Sequence, residues 1–222
     1  PGGQPIGVKL NTKGVLVVGL SDLEGEKGKI ISPATLAGIE LGDSILEINN
    51  EKIQNGEKIS SIISKSNEEI LKIKLERKGK ILEKELTAKK TKDGDYKIGL
   101  WVRDSTTGVG TLTFYDDKTK TFAALGHPIT DIDTGVTLNI ETGEIVPSSI
   151  ISIKKGVKGN PGELKGIFLD NKSPIGNIKD NTDCGIFGNI NNNAIYDYNK
   201  KMKVALKDEI KEGPAHILTT IE

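Results

Sequence analysis

Ser32-Pro33-Ala34-Thr35-Leu36-Ala37-Gly38-Ile39 and, after Glu40-Leu41, Gly42-Asp43-Ser44-Ile45-Leu46-Glu47-Ile48-Asn49-Asn50 form the stretch on which the fold turns. A serine at the N-cap, a proline at the first helical position and a glycine at the stop predict one short helix. The second half reads as a turn, a strand and another turn. Outward from it the punctuation continues. Gly14-Val15-Leu16-Val17-Val18-Gly19 is a short apolar strand bounded by glycines. Asn55 caps a second predicted helix reaching about Ser66, with Ile59, Ile62 and Ile63 on one face at i, i+3, i+4. Leu71, Ile73 and Leu75 alternate with Lys72, Lys74 and Glu76 as a half-buried strand, and Lys78-Gly79 turns it into a hairpin with Ile81 to Leu86.

In order and spacing these elements resemble the PDZ domains of bacterial proteases, which places a PDZ peptide-binding domain at residues 1–90. The resemblance implies a carboxylate loop, which Pro5-Ile6-Gly7-Val8 matches with its apolar-Gly-apolar pattern. Val8 to Asn11 is then the edge strand that accepts a peptide by strand addition, and Ile59, Ile62 or Ile63 walls the groove. The expected peptide-binding residues are therefore Ile6, Gly7, Val8, Lys9, Leu10, Ile59, Ile62 and Ile63. The competing reading is an edge covered by the second domain or blunted by Lys9.

Lys89-Lys90-Thr91-Lys92-Asp93-Gly94-Asp95 reads as a short charged linker. Beyond it the helical signal nearly disappears. Short β-prone runs (Ile98 to Val102, Gly110 to Tyr115, Ile150 to Ile153, Ile186 to Ile190, His216 to Ile221) alternate with glycine, proline and asparagine turns and predict a β-barrel or sandwich. Ala194 to Leu206 is ambiguous between a helical face and strand with loop. Within this half, Ala124-Leu125-Gly126-His127-Pro128-Ile129-Thr130-Asp131-Ile132-Asp133-Thr134-Gly135 holds one of the two histidines, between an apolar approach and an acidic, turn-rich exit. A histidine so placed is a candidate general base, or a hydrogen-bonded structural residue.

Gly99-Leu100-Trp101-Val102-Arg103-Asp104-Ser105-Thr106-Thr107-Gly108-Val109-Gly110-Thr111-Leu112-Thr113-Phe114, Ala124 to His127 with Asp131 to Gly135, Lys158 to Gly166, and Gly185-Ile186-Phe187-Gly188 together resemble the sporulation stage IV B (SpoIVB) serine peptidases, over residues 97–222. The expected fold is thus β-rich: an α+β PDZ domain followed by an incomplete trypsin-like β-barrel domain. The resemblance implies that His127 is the general base of a Ser-His-Asp triad. Pro128 departs from the usual pattern and biases His127 toward an extended conformation. The family's nucleophile sits in a Gly-Met-Ser-Gly-Ser-Pro-like motif with the acid shortly before it, and neither motif occurs here. The chain alone is therefore expected to be inactive, truncated before those two triad members. The resemblance further implies an extracytoplasmic signalling endopeptidase, membrane-anchored in the parent protein, in the intermembrane space of the developing spore. It would cleave itself and a membrane-bound regulatory protein, and so activate an intramembrane protease and a late sigma factor.

Local substitutes for the triad are weak. Ser105 has no preceding glycine and no sharp elbow, Ser148-Ser149 follow Pro147 as strand-edge residues, and His216 reads as structural. Asp131 and Asp133 would, with His127, permit a metal hydrolase, but both carboxylates are better read as Asx acceptors of turn N–H groups. A non-catalytic PDZ adaptor is the alternative function.

Composition bounds these readings. At 222 residues the chain has room for two modest cores. Lys+Arg and Asp+Glu balance at 31 each and aromatics are 4%, which argues against nucleic acid as a partner. The single Cys184 excludes an internal disulfide and a cysteine metal cage, and no cofactor is implied. No run of about 18 apolar residues forms a membrane segment. The start at Pro1 rather than Met leads us to expect an earlier natural beginning, with a leader or anchor upstream.

Overall fold

Apolar residues at every second position write most of this chain as strand. The computed structural model describes residues 2–168, 173–191 and 205–216. In chain order, β1 (Pro5–Leu20), β2 (Leu23–Gly25) and β3 (Gly28–Ile30) precede helix α1 (Pro33–Leu36). Then come β4 (Ser44–Ile48), β5 (Glu51–Lys52), helix α2 (Gly56–Ser64), β6 (Ile70–Arg77), β7 (Lys80–Thr87), β8 (Lys89–Lys90) and β9 (Tyr96–Lys97). The remainder is β10 (Leu100–Thr111), β11 (Phe114–Asp116), β12 (Thr121–Leu125), β13 (Ile140–Lys154), β14 (Glu163–Phe168), β15 (Gly176–Thr182) and β16 (Gly185–Ile190), with a 3₁₀ turn at Lys207–Glu209. Most of the ambiguous Ala194 to Leu206 run, and Ile217 to Ile221, lie outside the described residues; His216 is exposed and outside any strand.

Two compact units result, and each is built from separated segments. One comprises Asn11–Thr106 with Thr130–Glu141, the other Pro1–Leu10, Thr107–Ile129 and Thr142–Glu222. These limits differ from a division at residues 90–97, because β1 gives its residues up to Leu10 to one unit and the rest to the other, and β10 divides likewise after Thr106. The segment Lys89 to Asp95 is no linker. It is the start of an ordered β8–β9 hairpin, with Thr91 N–H donating to Asp95 O at 2.8 Å and Lys92 N–H to Glu24 O at 2.8 Å. Its turn is possible because Gly94 takes a positive φ of 90°.

In the unit around α2, β4 lies between β1 and β6, with Val15 opposite Ile45 and Ile45 opposite Leu75. Leu71, Ile73 and Leu75 are all buried, as their alternation requires. Lys78 and Gly79 both have positive φ (49° and 76°), the backbone of a two-residue hairpin turn whose twist suits β6 and β7. Ser32 Oγ accepts Thr35 N–H at the start of α1, and Asn55 Oδ1 accepts Lys58 N–H at the start of α2. Ile59 and Ile63 of α2 join Val15, Val17, Ile45 and Ile73 in one core.

Asp43 and Arg77 tie this unit together. The Asp43 side chain is fully buried, and Arg77 meets it with two parallel bonds, Nε to Oδ1 at 2.6 Å and Nη2 to Oδ2 at 2.7 Å. Arg77 Nη2 also donates to Gly38 O at 2.8 Å, where α1 ends, and Nη1 to Glu40 Oε1 at 2.6 Å. One guanidinium thus joins the end of β6 to the loop between α1 and β4.

In the other unit the strand order is β11-β12-β16-β15-β13, with β14 added on β13, all antiparallel. Phe122, Leu112, Ile145, Ile178 and Ile186 are buried there. Phe122 lies opposite Gly188, where a Cβ would stand 2.8 Å from the phenyl ring and 2.0 Å from Asn177 O. Among the described residues the sheet is open and no barrel closes.

The buried pair yields a prediction. Arg77→Ala leaves the Asp43 carboxylate buried and unpaired and should cost about 3–5 kcal/mol in chemical denaturation. Arg77→Lys, which lacks the planar fork, should fall between the two. An Arg77→Ala midpoint equal to wild type would show that the pair carries no stability.

Candidate active site

His127 stands exposed at the end of β12, in a turn whose entry and exit are both fixed. On the entry side, β12 pairs with β16 through Leu125 and Gly185, and Gly126 N–H continues the ladder to Cys184 O at 3.1 Å. Gly185 has a φ of 116°, and a Cβ there would lie 2.3 Å from Ala124 O, so only glycine permits this approach. Leu125 N–H, on the opposite edge, donates to Thr113 Oγ1 at 2.9 Å. On the exit side, the Asn181 amide bonds the backbone of Ile129.

The imidazole has one hydrogen bond among the described residues, between Nδ1 and Pro128 O at 2.8 Å. A carbonyl oxygen only accepts, so Nδ1 carries a proton, and in the neutral form of the ring the lone pair is on Nε2. This is the tautomer a general base for a hydroxyl needs. No carboxylate among the described residues bonds the ring.

The acidic turn is a site of its own kind. Asp131 Oδ1 accepts Asp133 N–H at 3.1 Å, Thr134 N–H at 2.9 Å and the Thr134 hydroxyl at 2.9 Å, which is the Asx arrangement expected from its sequence. Its Oδ2 pairs with Arg103 Nη1, and Arg103 Nη2 reaches Asp133 Oδ2 at 2.6 Å. All four bonds to Asp131 fill a fully buried carboxylate. Burial pushes this carboxyl up, but the Thr134 N–H and hydroxyl, Arg103 and the Asp133 N–H outweigh it and hold Asp131 below the usual carboxylate range. Arg103 was missed in the sequence. The available signal was that this lysine-rich chain has two arginines, Arg77 and Arg103, and each grips a buried aspartate.

The residues expected to line a peptide groove are divided between the two compact units. Pro5-Ile6-Gly7-Val8 is no loop: it begins the long strand β1, with Ile6, Gly7, Val8 and Leu10 buried. A Cβ on Gly7 would lie 2.3 Å from Phe168 Cδ1 and 2.7 Å from Val146 Cγ2, so the absent side chain makes room for core packing rather than for a ligand terminus. The half-buried Lys9 lies over the Phe168 ring, 5.6 Å from its centroid. Ile59, Ile62 and Ile63 belong to the other compact unit, where Ile59 and Ile63 are core and Ile62 packs against it. The flank of α2 is bounded instead by residues 96–102, which leave a cleft of about 760 Å³ lined by Ile59, Ile63, Tyr96 and Trp101 among others. Period-two burial of Tyr96, Ile98, Leu100 and Val102 against the core explains the placement. Ile98 O accepts Ala34 N–H, Gly99 O accepts Ser21 N–H, and Asp104 Oδ2 accepts Gly56 N–H at 3.0 Å at the start of α2.

Among the described residues, Ser105 and Ser148 have no hydrogen bond to a histidine. Ser105 Oγ donates to Asp104 Oδ1 at 3.1 Å. Ser148 is buried in β13 with no hydrogen-bond partner for its hydroxyl among the described residues, and Ser149 pairs opposite Ile167. Cys184 is an exposed free thiol.

Because Asp131 is held below the ordinary carboxylate value in the folded state, its contribution to stability is complete above about pH 4 and is lost as pH falls through the lower folded value. Asp131→Asn should cost about 1–3 kcal/mol at neutral pH and flatten that acid limb. Parallel acid profiles for wild type and variant would contradict the assignment.

Comparison with known proteins follows this geometry. Residues 94–222 match the family SpoIVB peptidase S55, and residues 30–77 match the PDZ domain family. A solved structure, the PDZ domain of the SdrC-like protein from Listeria monocytogenes, is similar at 21% identity over 40% of this chain and 87% of that chain, with a TM-score of 0.33. No described helix is long and apolar enough to cross a membrane. The first match takes in the His127 turn, Arg103 and the whole β11–β16 sheet, more than half of the sequence, and the chain belongs to the SpoIVB peptidase S55 family, the serine peptidases of sporulation, with a PDZ domain ahead of the peptidase region.

Proposed function

We propose that this chain supplies the general base and the PDZ module of a signalling serine endopeptidase of sporulation. The observation that carries the reading is the His127 ring, exposed on a fixed turn, with Nδ1–H committed to Pro128 O and Nε2 without a hydrogen bond among the described residues. In the reaction a serine hydroxyl gives its proton to Nε2 as its oxygen attacks the peptide carbonyl, and the imidazolium then returns that proton to the leaving amine. The Pro128 carbonyl selects the tautomer. It carries no negative charge, so an aspartate remains necessary to stabilise the imidazolium. We assign the nucleophile to a Gly-Met-Ser-Gly-Ser-Pro-like motif, which this sequence does not contain, and the acid to a position shortly before that motif. The 222 residues alone are then inactive.

The PDZ domain fits peptide or protein binding. Its partners in this proposal are the peptidase's own chain and a membrane-bound regulatory protein, whose cleavage activates an intramembrane protease and a late sigma factor. The proposed place of action is extracytoplasmic, in the intermembrane space of the developing spore, with the parent protein anchored in the membrane.

Labelling tests the reading. A fluorophosphonate should leave the 222-residue chain unmodified and label a version extended through the serine motif. In the extended protein His127→Ala should lower peptide hydrolysis by about 10³-fold or more. Stoichiometric labelling of the 222-residue chain would place the nucleophile within it and overturn this assignment.

A further inference from the structure

Pro128 creates a problem for the turn it follows. It has no N–H, so the backbone cannot be secured by a donor at the position after His127. The first donor available is Ile129 N–H, and a side chain takes it. Asn181 Oδ1 accepts Ile129 N–H at 2.8 Å, and Asn181 Nδ2 donates to Ile129 O, also at 2.8 Å. The asparagine amide presents its carbonyl oxygen and its NH₂ group in one plane, so it meets both polar groups of a single residue as a neighbouring strand would. Ile129 is half-buried, which makes both groups costly to leave unpaired.

Asn181 is itself held in place. It lies in β15 opposite Ile186 of β16, and β16 is the strand that pairs with β12 up to Leu125. Entry to and exit from the His127 turn are thereby referred to the same hairpin. The link continues to the ring: with Ile129 fixed, the Pro128 carbonyl is fixed, and that carbonyl accepts the Nδ1 proton.

We propose that Asn181 is a positioning residue for His127, holding the Pro128 carbonyl where it selects the Nδ1–H tautomer and so keeps Nε2 free as the base. The proposal rests on the reading of His127 as the general base. Asn181 touches neither substrate nor reacting atoms; it acts through the backbone of Ile129. Removing it frees the carbonyl, and the ring reverts to the mixture of tautomers found in an unrestrained imidazole. A misplacement of this kind lowers turnover more than substrate binding.

The test has a spectroscopic and a kinetic arm. Ring ¹⁵N resonances of His127, at a pH where the ring is neutral, should show the Nδ1–H form in the wild-type chain and a shift toward Nε2–H in Asn181→Ala. In the version extended through the serine motif Asn181→Ala should lower kcat by about 10- to 10²-fold with KM nearly unchanged. Asn181→Asp keeps the volume and the acceptor but, ionised, loses the donor to Ile129 O. It should move both readouts the same way, and it stands in if the alanine variant does not fold. A folded variant with wild-type kcat and an unchanged ring tautomer overturns the proposal. If His127→Ala retains activity, the base assignment itself falls and the positioning role falls with it; if His127→Ala is inactive while the Asn181 variants match wild type, only the positioning role falls.

Discussion

Antiparallel pairing of β12 with β16 is the contact on which the chemistry of the histidine depends. These strands are separated by about sixty residues of chain, yet their register sets Leu125 against Gly185 and brings Cys184 O to Gly126 N–H. Both glycines of β16 are required by close approach. Gly185 lets the ladder run up to the turn, and Gly188 accommodates the face of Phe122. A single-residue slip in this pairing would turn Phe122 and Ala124 out of the core and carry His127 with them.

Charge is used in two distinct ways. Most ion pairs, such as Lys52 with Glu141 and Lys58 with Glu51, join exposed side chains and contribute little against solvent and chain entropy. The two arginines do something lysine cannot. Arg77 presents its planar fork to the fully buried Asp43, Arg103 spans two carboxylates, Nη1 on the fully buried Asp131 and Nη2 on Asp133, and each links a strand to a turn. Loss of either arginine would leave a carboxylate charge buried away from water.

The long strand β1 shows where local reading fails. Pro5 to Leu10 alternate weakly and carry a glycine, a pattern equally suited to a peptide-accepting loop and to a buried strand. Neighbours resolve the ambiguity: Phe168 and Val146 occupy the space beside Gly7, and β13 lies next to β1 in the sheet. The same applies to Lys89 to Lys97, whose charges suggest a solvated linker. The backbone nonetheless closes a hairpin, because its hydrogen bonds come from main-chain atoms that charge patterning does not report.

What the sequence by itself determined are the features encoded within a few residues: the Ser32 and Asn55 caps, the α1 and α2 helices, the Lys78-Gly79 hairpin, the alternation of Leu71, Ile73 and Leu75, the Asx turn at Asp131, and the resemblance that singled out His127. Each depends on local dihedral preference, on periodicity, or on an ordered set of motifs. Tertiary structure alone decided the rest. Arg103 on Asp131, Asn181 on Ile129, the burial of Ile6 to Leu10 and the passage of residues 96–102 along α2 all join positions far apart in the chain. Such contacts arise from strand register and from competition for buried space, and neither is written in the short-range order of the residues that make them.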